Sequence, residues 1–331
     1  MLKNVKLLLL GILFIACREP RSLGFFPETP VNLALANSAW DDVNSDIFFV
    51  GHYVDLVFST NRPNPTTDFK LTHYGLSFTW DQKENFLLLQ RSLPHFPDPR
   101  TKALQDLTIN SYSNSDEKGP YTYVDASNNL SLLFSRESDG IHSIHALTEK
   151  PIPSLNSRNL PFLRILDETS NEMYPCLYGK NYLKGEREGV DTPLKLLFSS
   201  DKEGNFNIYE IDIPVGKSPI EVLSSSGIKD AVKLNINSGS NDHMPYVMGD
   251  LLVFASDRPG GIGGYDLYYS KKTADSWSEP ITFGGGINSE FDEYRPVVSS
   301  ESRFINNLMI FSSNRTGGQG GFDLYYVGFP K

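Results

Sequence analysis

The chain has 331 residues, 39% hydrophobic and 21% charged, which is the balance of an ordinary globular protein. Its 30 basic and 40 acidic residues leave a formal charge of −10, which argues against nucleic acid and anionic membrane surfaces as partners. Two cysteines, Cys17 and Cys176, are too few for a disulfide framework.

In chain order, residues 1–16 stand apart from the fold. A short basic start carries Lys3 and Lys6, and the apolar run Leu7–Ala16 is too short to span a bilayer. The ending Phe14-Ile15-Ala16-Cys17 resembles a bacterial lipoprotein signal, with Phe14 where most such signals carry Leu. That resemblance implies lipidation at Cys17, a tether over residues 17–29, and a membrane partner reached through the N-terminal lipid. Val31-Asn32-Leu33-Ala34-Leu35 then alternates like a strand.

Five lead-ins of similar grammar follow: Asp41-Asp42…Ser45, Asp116-Glu117…Pro120, Asn171-Glu172…Pro175, Asn241-Asp242…Pro245 and Asp292-Glu293…Pro296. Each precedes an anchor phenylalanine in an apolar strand: Phe58, Phe134, Phe198, Phe254 and Phe311. The last two units are the clearest. FASDRPGGIGGYDLYY from Phe254 and FSSNRTGGQGGFDLYY from Phe311 agree at 11 of 16 positions and start 57 residues apart, a spacing expected of one repeated sheet unit. Apolar strand, glycine-rich loop and aromatic strand spell a hairpin.

Between these units, Gln90 to Tyr112 carries Pro94, Pro97 and Pro99 and reads as a long surface loop. Lys180 to Thr192 is polar and reads as a solvated insertion, and no stretch reads as a long amphipathic helix. Segments after the third strand, such as Glu221-Val222-Leu223 and Pro280-Ile281-Thr282-Phe283, read as outer strands. The last unit has none, so Val31 to Leu35 is expected to supply it and close the ring. Cys176, within Tyr174-Pro175-Cys176-Leu177-Tyr178, reads as a small buried hydrophobe.

The pattern of acidic lead-in, Phe-Ser-Asp-Arg, Gly-Gly-x-Gly-Gly and Asp-Leu-Tyr resembles the WD-like repeat of TolB-type β-propellers, over residues 30–331. The expectation is an all-β fold: a single five-bladed β-propeller with N-to-C strand closure. The resemblance implies a monomeric, lipid-anchored protein of the cell envelope, at the outer membrane.

If the strand after each lead-in lies nearest the axis, Asp42, Glu117, Glu172, Asp242 and Asp292 form a candidate ring at the channel mouth. Such a ring suits a cation, or a pair of carboxylates acting on a sugar. The competing structural reading pairs them with Arg62, Arg136, Lys202, Arg258 and Arg315, one basic residue after each anchor strand. A charge pair repeated once per unit fits structure better than catalysis, which needs two or three groups in unlike settings. Asp266 and Asp323 read as hairpin residues, because their loops lack the ligand spacing of a calcium loop. The six histidines form no metal motif, and no Gly-x-Ser-x-Gly elbow occurs. Tyr112, Tyr121 and Tyr123, if exposed at loop ends, would suit a contact face, although packing between blades is the commoner fate of such aromatics. These readings lead to a non-enzymatic scaffold without metal or cofactor, docking an envelope protein or glycan. The alternative is a glycoside-binding or glycoside-hydrolysing propeller that uses its channel carboxylates.

Overall fold

The computed structural model describes residues 23–50, 53–62, 68–91, 99–152, 157–163, 165–167, 169–179, 184, 195–225, 230–274 and 276–331. The leader, Cys17 and the first part of the tether lie outside the described residues.

After β1 (Val31–Asn32), the strands come in groups of four. Blade 1 holds β2 (Asp42–Val50), β3 (Tyr53–Thr60), β4 (Lys70–Asp81) and β5 (Phe86–Arg91), and is followed by helix α1 (Pro99–Asn110). Blade 2 holds β6 (Glu117–Val124), β7 (Leu130–Ser138), β8 (Ile141–Ile152) and β9 (Ser157–Leu163). Blade 3 holds β10 (Glu172–Tyr178), β11 (Lys195–Ser200) and β12 (Asn207–Asp212), then helix α2 (Pro219–Ser224) and β13 (Val232–Lys233). Blade 4 holds β14 (Asp242–Met248), β15 (Leu251–Ser256), β16 (Asp266–Lys271) and β17 (Ile281–Thr282). Blade 5 holds β18 (Glu293–Ser299), β19 (Asn307–Ser313) and β20 (Asp323–Phe329), and its outermost strand is β1. Every blade is a four-stranded antiparallel sheet, and Val31 and Asn32 pair with Tyr326 and Tyr325 to close the ring. The expected all-β, five-bladed propeller with N-to-C closure is the observed fold.

The repeat grammar has physical causes. The five anchor phenylalanines are completely buried, and four of them are followed by a buried serine. Ser135, Ser199 and Ser312 accept the backbone N–H of Tyr174, Met244 and Asn44 in the following inner strand. Those residues, with Gly119 and Arg295, sit two places after each lead-in acid at φ between 45° and 60°. A left-handed residue there makes a bulge that bends each inner strand at the same level, so the strain is a feature of the fold. The paired glycines have steric causes. A Cβ on Gly261 or Gly318 would strike the carboxylate of Asp266 or Asp323, and one on Gly263 or Gly320 would strike the carbonyl oxygen of Phe291 or Trp40 in the adjoining blade.

Two segments differ from expectation. Part of the loop predicted over Gln90 to Tyr112 is α1, which starts at Pro99 and buries Ala103, Leu104 and Leu107 between blades 1 and 2. A proline in the first turn is the helix-start signal that the proline-rich context hid. Glu221-Val222-Leu223 belongs to α2, with Ser218 before Pro219 as its N-cap, and the outer strand of blade 3 comes later at Val232–Lys233. Of the expected contact tyrosines, Tyr112 is exposed, whereas Tyr121 and Tyr123 are buried.

Candidate functional site at the propeller mouth

The innermost strands are β2, β6, β10, β14 and β18, and the mouth is the end where they start. The lead-in acids Asp42, Glu117, Glu172, Asp242 and Glu293 are all completely buried. Arg62 bonds Asp42 at 3.0 Å, Arg136 bonds Glu117 at 3.2 Å, Arg258 bonds Asp242 at 2.5 Å and Arg315 bonds Glu293 at 2.8 Å. Each guanidinium also donates to a carbonyl, of Ala36, Ser111, Ile236 and Ile287 respectively. It lies over its own anchor phenylalanine, 5.0–5.2 Å from the ring centre. Burial raises the carboxyl pKa of Glu117 and Glu293, and the neighbouring serine hydroxyl and arginine oppose the rise.

One member of the expected ring is displaced, and one expected ion pair is not formed. In blade 5 the buried partner is Glu293, and Asp292 lies one step outward, accepting the Tyr265 N–H at 2.9 Å. The missed signal is a serine four residues before each such acid: Ser38, Ser113, Ser238 and Ser289 bond Asp42, Glu117, Asp242 and Glu293. In blade 3 that serine is absent, Glu172 accepts the N–H groups of Ile165 and Leu166, and Lys202 lies 3.9 Å from Asp167 instead.

The axis is filled. Arg295 is completely buried and donates to the carbonyls of Pro245 (3.0 Å), Pro120 (3.3 Å) and Pro175 (3.5 Å). Lys184, from the insertion expected to be solvated, reaches Asp46 and sits 4.0 Å from the Tyr121 ring centre. Burial depresses the Lys184 pKa, against the pull of Asp46. Cys176 is buried beside this plug, and desolvation pushes its thiol up to about 11, which is inert. The expected carboxylate-lined channel is therefore absent among the described residues, and the acids are seams between blades.

The mouth itself presents a second fivefold set. Phe69, His142, Phe206, Tyr265 and Phe322, all half-buried, donate their backbone N–H to Asp116, Asn171, Asn241, Asp292 and Asp41 of the next blade, at 2.7–3.0 Å. Across blades 3 to 5 the rings run in a continuous arc: Phe206–His243 5.0 Å, His243–Tyr265 5.2 Å, Tyr265–Tyr294 5.1 Å and Tyr294–Phe322 5.2 Å. Four lead-ins are locked by a carboxylate and an amide facing each other: Asp41 with Asn61, Asn171 with Asp201, Asn241 with Asp257, and Asp292 with Asn314. Blade 2 breaks the rule. Glu137 occupies the partner position, its N–H on the Asp116 carbonyl at 3.1 Å as Asn61 does on Asp41, so both side chains are carboxylic. Asp116 is bonded instead to Lys118 at 2.6 Å, and Glu137 accepts the Gly140 N–H. His142 stands beside them; burial and Lys118 lower its pKa, while Asn171, Asp116 and Glu137 oppose. Among the described residues no three His, Cys, Asp or Glu side chains group as metal ligands.

No family model and no curated protein matches the chain. Solved structures do. An endo-arabinase from Bacteroides thetaiotaomicron VPI-5482 aligns over 94% of this chain and 98% of its own, with a TM-score of 0.53 at 14% identity. An alpha-L-arabinofuranosidase from Lactobacillus brevis aligns over 87% and 90%, with a TM-score of 0.51 at 10% identity. A further glycoside hydrolase aligns over 93% and 91%, with a TM-score of 0.51 at 8% identity. At these identities the likeness shows the fold. The expectation of a non-enzymatic interaction module rested on analogy between propellers, and that analogy is overturned: these three solved propellers are named as glycoside-cleaving enzymes.

Proposed function

We propose that the chain is a glycoside hydrolase that receives a sugar chain at the propeller mouth and cleaves it beside blade 2. One observation carries this reading. The mouth holds two carboxylates at the single lead-in where the amide partner is missing, and the half-buried rings of Phe206, Tyr265, Tyr294 and Phe322 stand on blades 3 to 5. Aromatic faces hold the apolar faces of sugars, and a pair of carboxyl groups is what glycoside hydrolysis requires. The same asymmetry separates Asp116 and Glu137 from the ion-paired seam acids, which repeat too regularly to be reactive groups.

The chemistry needs only water as co-reactant. One carboxylic acid gives its proton to the glycosidic oxygen as the bond from the anomeric carbon breaks. The other carboxylate either takes a proton from the water that attacks that carbon or attacks first and is released by water. Asp116, with the Lys118 ammonium at 2.6 Å, is placed in the second role, and Glu137, which has no cation bonded to it among the described residues, in the first. Arabinan-derived substrates are the first to assay, in light of the superposed enzymes. Asp116→Asn and Glu137→Gln should each lower kcat about a hundredfold or more with little change in melting temperature. Wild type that cleaves no member of an arabinan, xylan and galactan panel would end the reading.

With this activity we place the protein in the cell envelope, at the outer membrane, held through a lipid on Cys17 and built on TolB-type repeats. The apolar run before Cys17 and the tether after it support that placement. Cys17→Ala should move the protein from the membrane to the soluble fraction, and an unchanged distribution would oppose lipid anchoring.

A further inference from the structure

The propeller has a second concavity, at the end of the blades away from the mouth. Among the described residues, an inserted element packs at four of the five inter-blade gaps. Helix α1 fills the gap between blades 1 and 2, and α2 reaches β9 across the gap between blades 2 and 3. Trp277 lies against Tyr178 between blades 3 and 4, at 5.7 Å, and its carbonyl accepts from Asn235. Phe26 stacks on Phe304 at 4.0 Å and meets Phe78 edge-on at 5.5 Å between blades 5 and 1. In blade 5 the third and outermost strands, β20 and β1, are not consecutive in the chain, so no connecting segment crosses to blade 4. Between blades 4 and 5 lies a cavity of about 890 Å³.

Its walls are chemically specific. Tyr269, Phe283 and Phe329 form an aromatic side, with ring centres 5.0 and 5.7 Å apart. Asn307, 5% exposed, lines the floor. Its amide nitrogen is bound to the Pro330 carbonyl, and its Oδ1 has no partner. A buried unpaired acceptor is costly, and a hydroxyl donor from a ligand would satisfy it. Lys271 and Asp250 put both charge signs on the rim, so no single ionic class is selected. An aromatic wall, a lone acceptor and a volume within the range of small-ligand sites describe a site for a neutral polyhydroxylated ring.

We propose that the cleft between blades 4 and 5 is a non-catalytic glycan-binding site, which stacks a sugar ring on Phe283 and Tyr269 and takes a hydroxyl on Asn307 Oδ1. It rests on the glycoside reading of the mouth and adds a second point of hold on the same polymer, at the opposite end of the molecule. Two sites on one rigid body raise the effective concentration of a long chain at the mouth without changing its chemistry.

The test uses sulfur-linked arabino- and xylotriose, which are not hydrolysed, titrated into isotope-labelled full chain while backbone amides are followed by NMR. In wild type, amides at Gly286, Asn307 and Phe329 should shift as one set and those at Phe206 and Tyr265 as another. Gly286→Trp places a ring in the cleft at a position where a Cβ has open space, so it blocks the site without removing packing. It should abolish the first set of shifts only. Phe283→Ala should weaken the same set about tenfold, while turnover of a short soluble substrate stays at wild type. The inference is overturned if the mouth set moves but the cleft set is still, or if the cleft set moves equally in both variants. If neither set moves and no glycoside is cleaved, the glycoside reading falls and takes this site with it.

Discussion

At the scale of single residues, the lead-in acids serve structure in four blades, and the proposed function gives the blade 2 lead-in a chemical role. Removing Arg258 leaves the completely buried Asp242 carboxylate without its guanidinium, so Arg258→Leu should cost about 3–5 kcal/mol in urea denaturation. Lys202, half-exposed and paired only at 3.9 Å, should be replaceable by alanine within about 0.5 kcal/mol. The alternation of acidic lead-in and basic follower was legible in the amino-acid string. The register in blade 5 was legible only with the serine four places upstream, and blade 3 lacks that serine. His243 gives a pH test. Burial lowers its pKa to about 4, against weak opposition from Asp257 and Asp242. A histidine in the unfolded chain titrates near 6.5, so the unfolded state binds more protons between those values. Stability should be full above about pH 6.5 and fall by up to about 3 kcal/mol as pH drops toward 4. Denaturation midpoints across that range would measure it, and His243→Phe should flatten the slope.

At the scale of elements, closure and the glycine loops carry the fold. Asn37 receives the N–H of Leu324 and donates to its carbonyl, both at 2.9 Å, so a side chain prolongs the closing strand β1 beyond its two paired residues. Asn237 does the same for Ile208, and Asn288 for Leu267. Asn37→Ala leaves the buried Leu324 N–H without its acceptor, while the Leu324 carbonyl keeps the Leu33 N–H, and should cost about 1–3 kcal/mol; a thermal midpoint equal to wild type would refute that role. Gly320→Ala should be strongly destabilising, because the new methyl meets the Trp40 carbonyl, whereas Gly286→Ala should be nearly neutral. Strand and loop order could be read directly, because apolar runs, glycine pairs and Asp-Leu-Tyr mark the hairpins in one dimension. The two helices could not. Their buried residues are few, α1 lies in a proline-rich stretch, and both form chiefly because a gap between blades offers them an apolar surface.

At the scale of the whole molecule, five near-copies make a ring whose symmetry is broken where function would need it. Arg295 and Lys184 fill the axis, so a ligand meets the propeller at its mouth or at its gaps, not through the centre. The overall architecture was legible because a repeat multiplies weak local signals. The mouth was not, since Phe69, His142, Phe206, Tyr265 and Phe322 are far apart in sequence and become neighbours only when the blades are arranged in a ring. The departure at Glu137 is invisible until Asn61, Asp201, Asp257 and Asn314 are recognised as its counterparts. The most direct measurement is hydrolysis of an arabinan, xylan and galactan panel by wild type, Asp116→Asn, Glu137→Gln and the control variant Lys202→Ala. The expected result is cleavage by wild type and Lys202→Ala, with at least about a hundredfold loss of kcat in the other two at unchanged melting temperature. Cleavage that survives in both Asp116→Asn and Glu137→Gln, or its absence in wild type, would contradict the account.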